Sequence, residues 1–201
     1  MAVSGLPAHL SKREQMATIK QVKRRRNIKM AEGYLDLAMV LDDHWPLDDS
    51  ARESLAQRAV SCLENIKNPL GHKPYILFLK GQAMRAAGQL EFAADFLEQS
   101  LKLDPDNLHT YLALAWCYKR TGRLQQAIDS MRIAVELDPE NAIAQYNLAC
   151  YLALGKQVEI ALLHLSFALE LNPDYKSLTV DESDFDLIRE NPGFASLTSL
   201  V

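Results

Sequence analysis

At 201 residues, with 48% hydrophobic and 24% charged side chains, the chain suits one domain, or one domain with a tail, and carries enough apolar material for a packed core. No stretch approaches the roughly 18 consecutive apolar residues of a membrane span, and Met1 to Gln15 lacks a long apolar run before its charges, so the expectation is a soluble, unsecreted, cytoplasmic chain. The net charge of -4 hides an asymmetry: Met1 to Gly33 holds eight basic and two acidic residues (+6), which leaves 14 basic and 24 acidic residues (-10) in the remainder.

The basic excess belongs to the first expected segment, residues 1–26, an arm or helix that merges with Lys29 into the run Lys20, Lys23, Arg24, Arg25, Arg26, Lys29. Met16, Ile19, Val22 and Arg26 are spaced as one helical stripe. Residues 27–73 predict a divergent helical hairpin. Its first helix carries Ile28, Ala31, Tyr34, Leu35, Ala38 and Leu41, its second Leu55, Ala59, Val60 and Leu63, and a long turn, Asp42 to Asp49, lies between them.

From Pro74 the chain repeats every 34 residues, in units 74–107, 108–141 and 142–175 that share Pro105, Pro139 and Pro173. The eighth position is Gly81, Ala115 and Ala149; the twentieth is Ala93, Ala127 and Ala161; the twenty-fourth is Leu97, Met131 and Leu165; the twenty-seventh is Ser100, Ala134 and Ala168. Apolar spacings of three and four occur twice per unit, and glycines at Gly88, Gly122 and Gly155 stand between the halves where a left-handed residue ends a helix. Each unit therefore predicts a helical hairpin. The recurrent proline disfavours helix in the residue before it and separates one unit from the next. Residues 176–201 predict a C-terminal helical cap. In it Ser183 and Asp186 form a capping signal, Asn191-Pro192-Gly193 is a stop, and Phe185, Ile188, Phe194 and Leu197 pack over the last hairpin.

Small residues at positions 8, 20 and 27, a bulky apolar residue at 24 and proline at 32 resemble tetratricopeptide repeats. Lys80 and Gln145 depart from that pattern, each standing where the family buries an apolar side chain. The closing segment is similar to the ending of many bacterial proteins of this family, with Asp184, Phe185, Asp186, Ile188, Arg189, Pro192 and Phe194 in the matching places. The resemblance implies an all-α, right-handed superhelix of stacked hairpins, capped at both ends. It also implies a concave groove lined by the first helix of each hairpin. The matching positions hold Tyr75, Phe78, Leu79, Gln82, Arg85 and Ala86, then His109, Leu112, Ala113, Trp116, Lys119 and Arg120, then Ile143, Tyr146, Asn147, Cys150, Ala153 and Leu154.

This set is aromatic and aliphatic with a cationic edge of Arg85, Lys119 and Arg120, which points to an acidic or C-terminal carboxylate group in a peptide partner. Asn147 stands out because its side-chain amide can both donate to and accept from a peptide backbone. The clamp that some family members use for heat-shock protein C-termini is absent: its positions hold Phe78, Gln82, Ala113, Ile143 and Asn147. Aromatics at helical spacing are more often core than ligand sites, and Lys119 and Arg120 also complement a helix dipole.

For the basic arm, folding back on the body or a solvated helix ranks first, an acidic partner second and nucleic acid third, since the arm has no aromatic residue for base stacking. Anionic membrane and assembly with a second copy complete the alternatives. Cys62, Cys117 and Cys150 are odd in number and widely spaced, which argues for buried thiols in a reducing compartment. His44, His72, His109 and His164 lie far apart, and no metal-ligand spacing, phosphate loop or activated-serine motif occurs. The expectation is a non-enzymatic adaptor or client-binding chaperone without cofactor, metal or catalytic residues.

Overall fold

A computed structural model of the protein describes residues 11–40, 48–67 and 69–199, and the described residues form helices, turns and loops without strand. Leu41, most of the expected turn at 42–49, His44 and the first ten residues of the arm lie outside them. The chain divides into two compact units, Met1–Gln89 and Leu90–Val201. The division falls inside the expected unit 74–107, so its two helices belong one to each body.

In the first unit α1 (Lys12–Val40), α2 (Asp49–Glu64) and α3 (Lys73–Ala86) follow one another, with a 3-10 turn at Leu70–His72. No break separates arm from hairpin at residue 26, because α1 runs through it. Its start is a reciprocal cap that the sequence carries as Ser11-x-x-Glu14: Ser11 N donates to Glu14 Oε2 (2.7 Å) and Glu14 N to Ser11 Oγ (3.4 Å). A hydrogen bond from the Ser11 side chain, and after it the one from the Ser11 backbone N–H, hold the exposed Glu14 carboxyl below its ordinary range. Asp48 caps α2 by accepting from Ala51 N (2.7 Å). The core joins Ile28, Ala31 and Leu35 of α1 to Ala56, Ala59 and Leu63 of α2 and Ile76, Leu79 and Ala83 of α3.

The second unit begins with α4 (Leu90–Leu101) and continues with the hairpins α5 (Leu108–Arg120) with α6 (Leu124–Leu137), and α7 (Ala142–Leu154) with α8 (Val158–Leu171). Ala93, Ala115, Ala127, Ala134, Ala149, Ala161 and Ala168 are all fully buried, and Leu97, Met131 and Leu165 fill the space between them. Each Asp-Pro stop is followed by a start: Asn107 accepts from Thr110 N and Asn141 from Ala144 N, both at 3.1 Å. Each asparagine also donates from Nδ2 to the aspartate before the proline, Asp104 (3.0 Å) or Asp138 (3.3 Å). At the third stop Tyr175 replaces the asparagine, and the chain leaves the repeat for α9 (Tyr175–Asp181), a 3-10 turn (Ser183–Ile188) and α10 (Pro192–Thr198).

Three local expectations need correction. Gly88 (φ +72°) and Gly122 (φ +76°) do end their helices left-handed, but the 34-residue register places Lys156, not Gly155, third in that series, and Lys156 takes φ +59°. The 3-10 turn is capped by Glu182, which accepts from Asp184 N (3.2 Å), rather than by Ser183; Asp186 is drawn instead to Arg189 Nε (2.7 Å). Asn191-Pro192-Gly193 is a helix start as well as a stop, since Asn191 accepts from Gly193 N (2.8 Å) and Pro192 opens α10. The departure at Gln145 is accommodated by hydrogen bonds: it is buried, donates to Pro139 O (2.8 Å) and meets His164 Nδ1 at 2.7 Å.

Candidate functional site

Helices α5 and α7 carry the candidate groove residues of the second unit. On α5 His109 is exposed, Leu112 half-buried, and Trp116 is 36% exposed with the Arg120 guanidinium 5.5 Å from its ring centre. On α7 the corresponding residues separate into two groups. Ile143 remains 51% exposed, and Asn147 is half-buried. Tyr146 and Cys150, expected to face a ligand, are buried, as is Ala153.

The chain itself covers them. Phe185, fully buried, meets Tyr146 edge-on at 5.7 Å and Phe194 at 5.3 Å, while Tyr175 approaches the same Tyr146 ring at 5.3 Å. Lys119, one of the three expected groove cations, is in an ion pair with the buried Asp184 and lies 5.6 Å from the Tyr151 ring. Arg189 fixes the covering segment in shape by donating to Thr179 O (3.1 Å), Glu182 O (2.8 Å) and Asp186 Oδ1 (2.7 Å). Phe185, predicted to pack over the last hairpin, therefore lies against the face of α7 that was expected to take a partner.

Electrostatics follow from this cover. Burial, with Glu182 and Asp184 nearby, pushes the Cys150 thiol up, so it stays neutral and is a poor nucleophile. Cys150, Glu182 and Asp184 place ligand-type atoms within 4.8 Å of one another, and the Lys119 ammonium supplies the cation that balances Asp184. Burial raises the Tyr146 phenol, whose hydroxyl has no hydrogen-bond partner among the described residues. Outside this region Tyr118 donates to Glu98 (2.7 Å) under the Arg123 guanidinium, 4.6 Å from its ring centre, and Arg123 pairs with Glu91 at 2.5 Å.

The first unit holds the remaining candidates. Tyr75 donates to Glu32 of α1 (2.7 Å) and stacks on Phe78 at 6.0 Å, and burial together with that bond raises its phenol to about 12. Arg85 Nη2 lies 3.2 Å from Met39 Sδ of α1. Gln82 is half-buried, and its Oε1 has no hydrogen-bond partner among the described residues. Three of the four candidates on α3, Tyr75, Phe78 and Arg85, are thus engaged with α1 or with each other. Along α1 itself, Lys20, Lys23, Arg25, Arg26 and Lys29 are exposed and make no ion pair with a described carboxylate, and Arg24 is half-buried. The described part of the basic segment, from Lys12 onward, is helical.

Residues 84–145 match the family model for the tetratricopeptide repeat. Those residues carry tetratricopeptide repeats. Solved structures with the same fold include YrrB, described as a tetratricopeptide-repeat protein with an unusual peptide-binding site, at 20% identity and TM-score 0.55 over 66% of this chain and 74% of that one. A MamA RS-1 double mutant matches at 22% identity and TM-score 0.55, covering 85% of this chain and 99% of that one. MamA from Desulfovibrio magneticus RS-1, residues 41 to the end, matches at 22% identity and TM-score 0.54, covering 83% and 98%. No curated protein sequence matches the chain. Tetratricopeptide repeats form scaffolds whose extended surfaces hold other proteins, and no helix among the described residues is long and apolar enough to cross a membrane.

Proposed function

We propose that the protein is a non-enzymatic adaptor that holds a peptide segment of a partner protein on the exposed part of the α5 and α7 face. One observation carries this reading: the neighbouring part of that face already holds a peptide segment, the chain's own, with Asp184 on Lys119 and Phe185 on Tyr146. An acidic residue beside an aromatic one is thus a chemistry that the face accepts. The uncovered residues His109, Leu112, Trp116, Arg120, Ile143 and Asn147 offer the same combination, a cation stacked on an indole beside apolar surface and a side-chain amide for a peptide backbone. YrrB, with its peptide-binding site on the same fold, is compatible with this role.

The experiment is selection from a random peptide library against the wild-type protein and the double variant Trp116→Ala, Asn147→Ala. Recovered peptides should be enriched in an acidic residue next to an aromatic one, and the double variant, still helical by circular dichroism, should lose them by at least about tenfold, as expected when an aromatic anchor is truncated. Equal recovery by both proteins refutes the reading.

A second reading, assembly with another copy, rests on α8. Ile160, Leu163, Phe167 and Leu171 form one exposed stripe along it, each between 41% and 51% accessible. Such a stripe suits a two-fold contact better than the groove or the chain ends do. Light scattering at high concentration should give a dimer mass that Phe167→Glu returns to monomer; a monomeric wild type rules it out.

A further inference from the structure

The return of the closing segment onto α7 joins a thiol to two carboxylates that the sequence keeps apart. Cys150 stands in the last hairpin, whereas Glu182 and Asp184 come 32 and 34 residues later, at the start of the 3-10 turn. One ligand-type atom from each lies within 4.8 Å of the other two. Cys150 and Asp184 are buried, and Glu182 is half-buried at the edge, which gives an ion a way in from solvent.

Two features of the surroundings call for a further polar group. The first is Tyr146, only 7% exposed, whose buried hydroxyl has no hydrogen-bond partner among the described residues, a costly state in a native core. It stands one turn before Cys150 on the same face of α7, and its ring meets Phe185, the neighbour of Asp184. Burial, and then the charges of Cys150, Glu182 and Asp184, raise its phenol, so the hydroxyl lies among those three side chains. The second feature is an unbalanced carboxylate. Lys119 takes Asp184 Oδ2, but Glu182 has no ion pair with a described residue; its Oε1 accepts from Asp184 N (3.2 Å). Arg189, close by, is turned to Asp186 and to the backbone carbonyls of Thr179 and Glu182.

We propose that Cys150, Glu182 and Asp184 bind a zinc ion, with a water in the fourth position held by the Tyr146 hydroxyl. A thiolate beside carboxylates suits this borderline ion, whereas calcium and magnesium take larger sets of oxygen ligands and an iron–sulfur cluster takes four thiolates. Around tetrahedral zinc such donors stand about 3.5 Å apart, so the set closes by roughly 1 Å, a movement within reach of the half-buried Glu182 side chain. As the ion enters, the thiol gives its proton to solvent. The thiolate and the two carboxylates are then neutralised by the divalent ion together with Lys119. Lys119 on Oδ2 leaves Asp184 Oδ1 for the metal and orients the carboxylate, the usual task of a group hydrogen-bonded to a ligand. The ion ties the closing segment to α7 and holds it over the part of the face that it covers.

The test is titration of the full-length protein, stripped by a chelator, with cobalt(II), which reports thiolate coordination by a charge-transfer band in the near ultraviolet. One equivalent should saturate the band, and zinc should displace the cobalt. Cys150→Ser should abolish the band, and Cys62→Ser, at a thiol in the other compact unit, should leave it. Glu182→Gln, a change on a half-buried side chain, should keep the helical circular dichroism and weaken binding by at least about tenfold. Zinc should also raise the Tm of the wild type more than that of Glu182→Gln. The absence of a band, a band that survives Cys150→Ser, or equal affinity in the wild type and Glu182→Gln would overturn the proposal.

Discussion

Two single residues show how the repeat tolerates departures from its own pattern. Lys156 stands at the position that Gly88 and Gly122 hold in the earlier units, and keeps their left-handed backbone at φ +59°. A side chain with a Cβ costs about 1–2 kcal/mol there, partly offset because glycine loses more chain entropy on folding. Lys156→Gly should therefore stabilise the protein by about 0.5–1 kcal/mol, read as a rise in Tm of about 2–4 °C; a fall would contradict the register.

Gln145 is the other departure. Because its amide donates to Pro139 O, its carbonyl oxygen is left to accept from His164, which requires a proton on Nδ1. Burial, and secondarily Arg132, hold the imidazole below its ordinary value of 6.5. The unfolded chain then takes up a proton that the folded one refuses, so this contribution to stability is complete above about pH 6.5 and is lost as pH falls below it. Urea denaturation between pH 7.5 and 5 should show that decline, and His164→Gln, which can still donate to Gln145, should flatten it.

At the level of elements, the Asp-Pro-x-Asn stretches act as a combined stop and start. Proline is legible as a break, but the asparagine that follows does as much for order, capping the next helix and tying itself to the preceding aspartate. Asn141→Ala should cost about 1 kcal/mol, the usual value of a lost N-cap, whereas Glu140→Ala beside it, exposed and without a described partner, should be close to neutral. The same kind of local signal, Ser11-x-x-Glu14, marks the start of α1 and turns an apparent arm into a helix continuous with the first hairpin. Where the repeat ends, at Tyr175, the change is visible as a missing asparagine.

At the scale of each compact body, the closing segment of the second unit has two roles. It caps the apolar end of the last hairpin through Phe185 and Phe194, and through Asp184 it pairs Lys119, a residue expected to face a groove. Phe185→Ala should destabilise the second unit by about 3–5 kcal/mol, as for other large buried aromatics. It should also raise hydrogen exchange across residues 182–199 before α5 and α6 respond. Unchanged protection of that segment would mean that Phe185 does not anchor it.

Helix number and repeat register in the second unit could be read from sequence because both depend on local, periodic constraints. Small residues recur where helices touch, bulky ones where they leave a gap, and proline and asparagine recur at the junctions. Much of the candidate surface was legible for the same reason: Trp116, Arg120, Ile143 and Asn147 sit on helix faces whose spacing can be counted. The fate of Tyr146, Cys150 and Lys119 could not be counted. They carry the same positional signature as their neighbours, and what separates them is contact with Asp184 and Phe185, dozens of residues away and outside the repeat. Glu182 and Asp184 reach Cys150 in the same way, through the return of the chain rather than a motif. Periodicity determined which residues share a helix face; only tertiary packing decided which of those faces the chain covers itself, because burial between distant segments depends on where the chain returns.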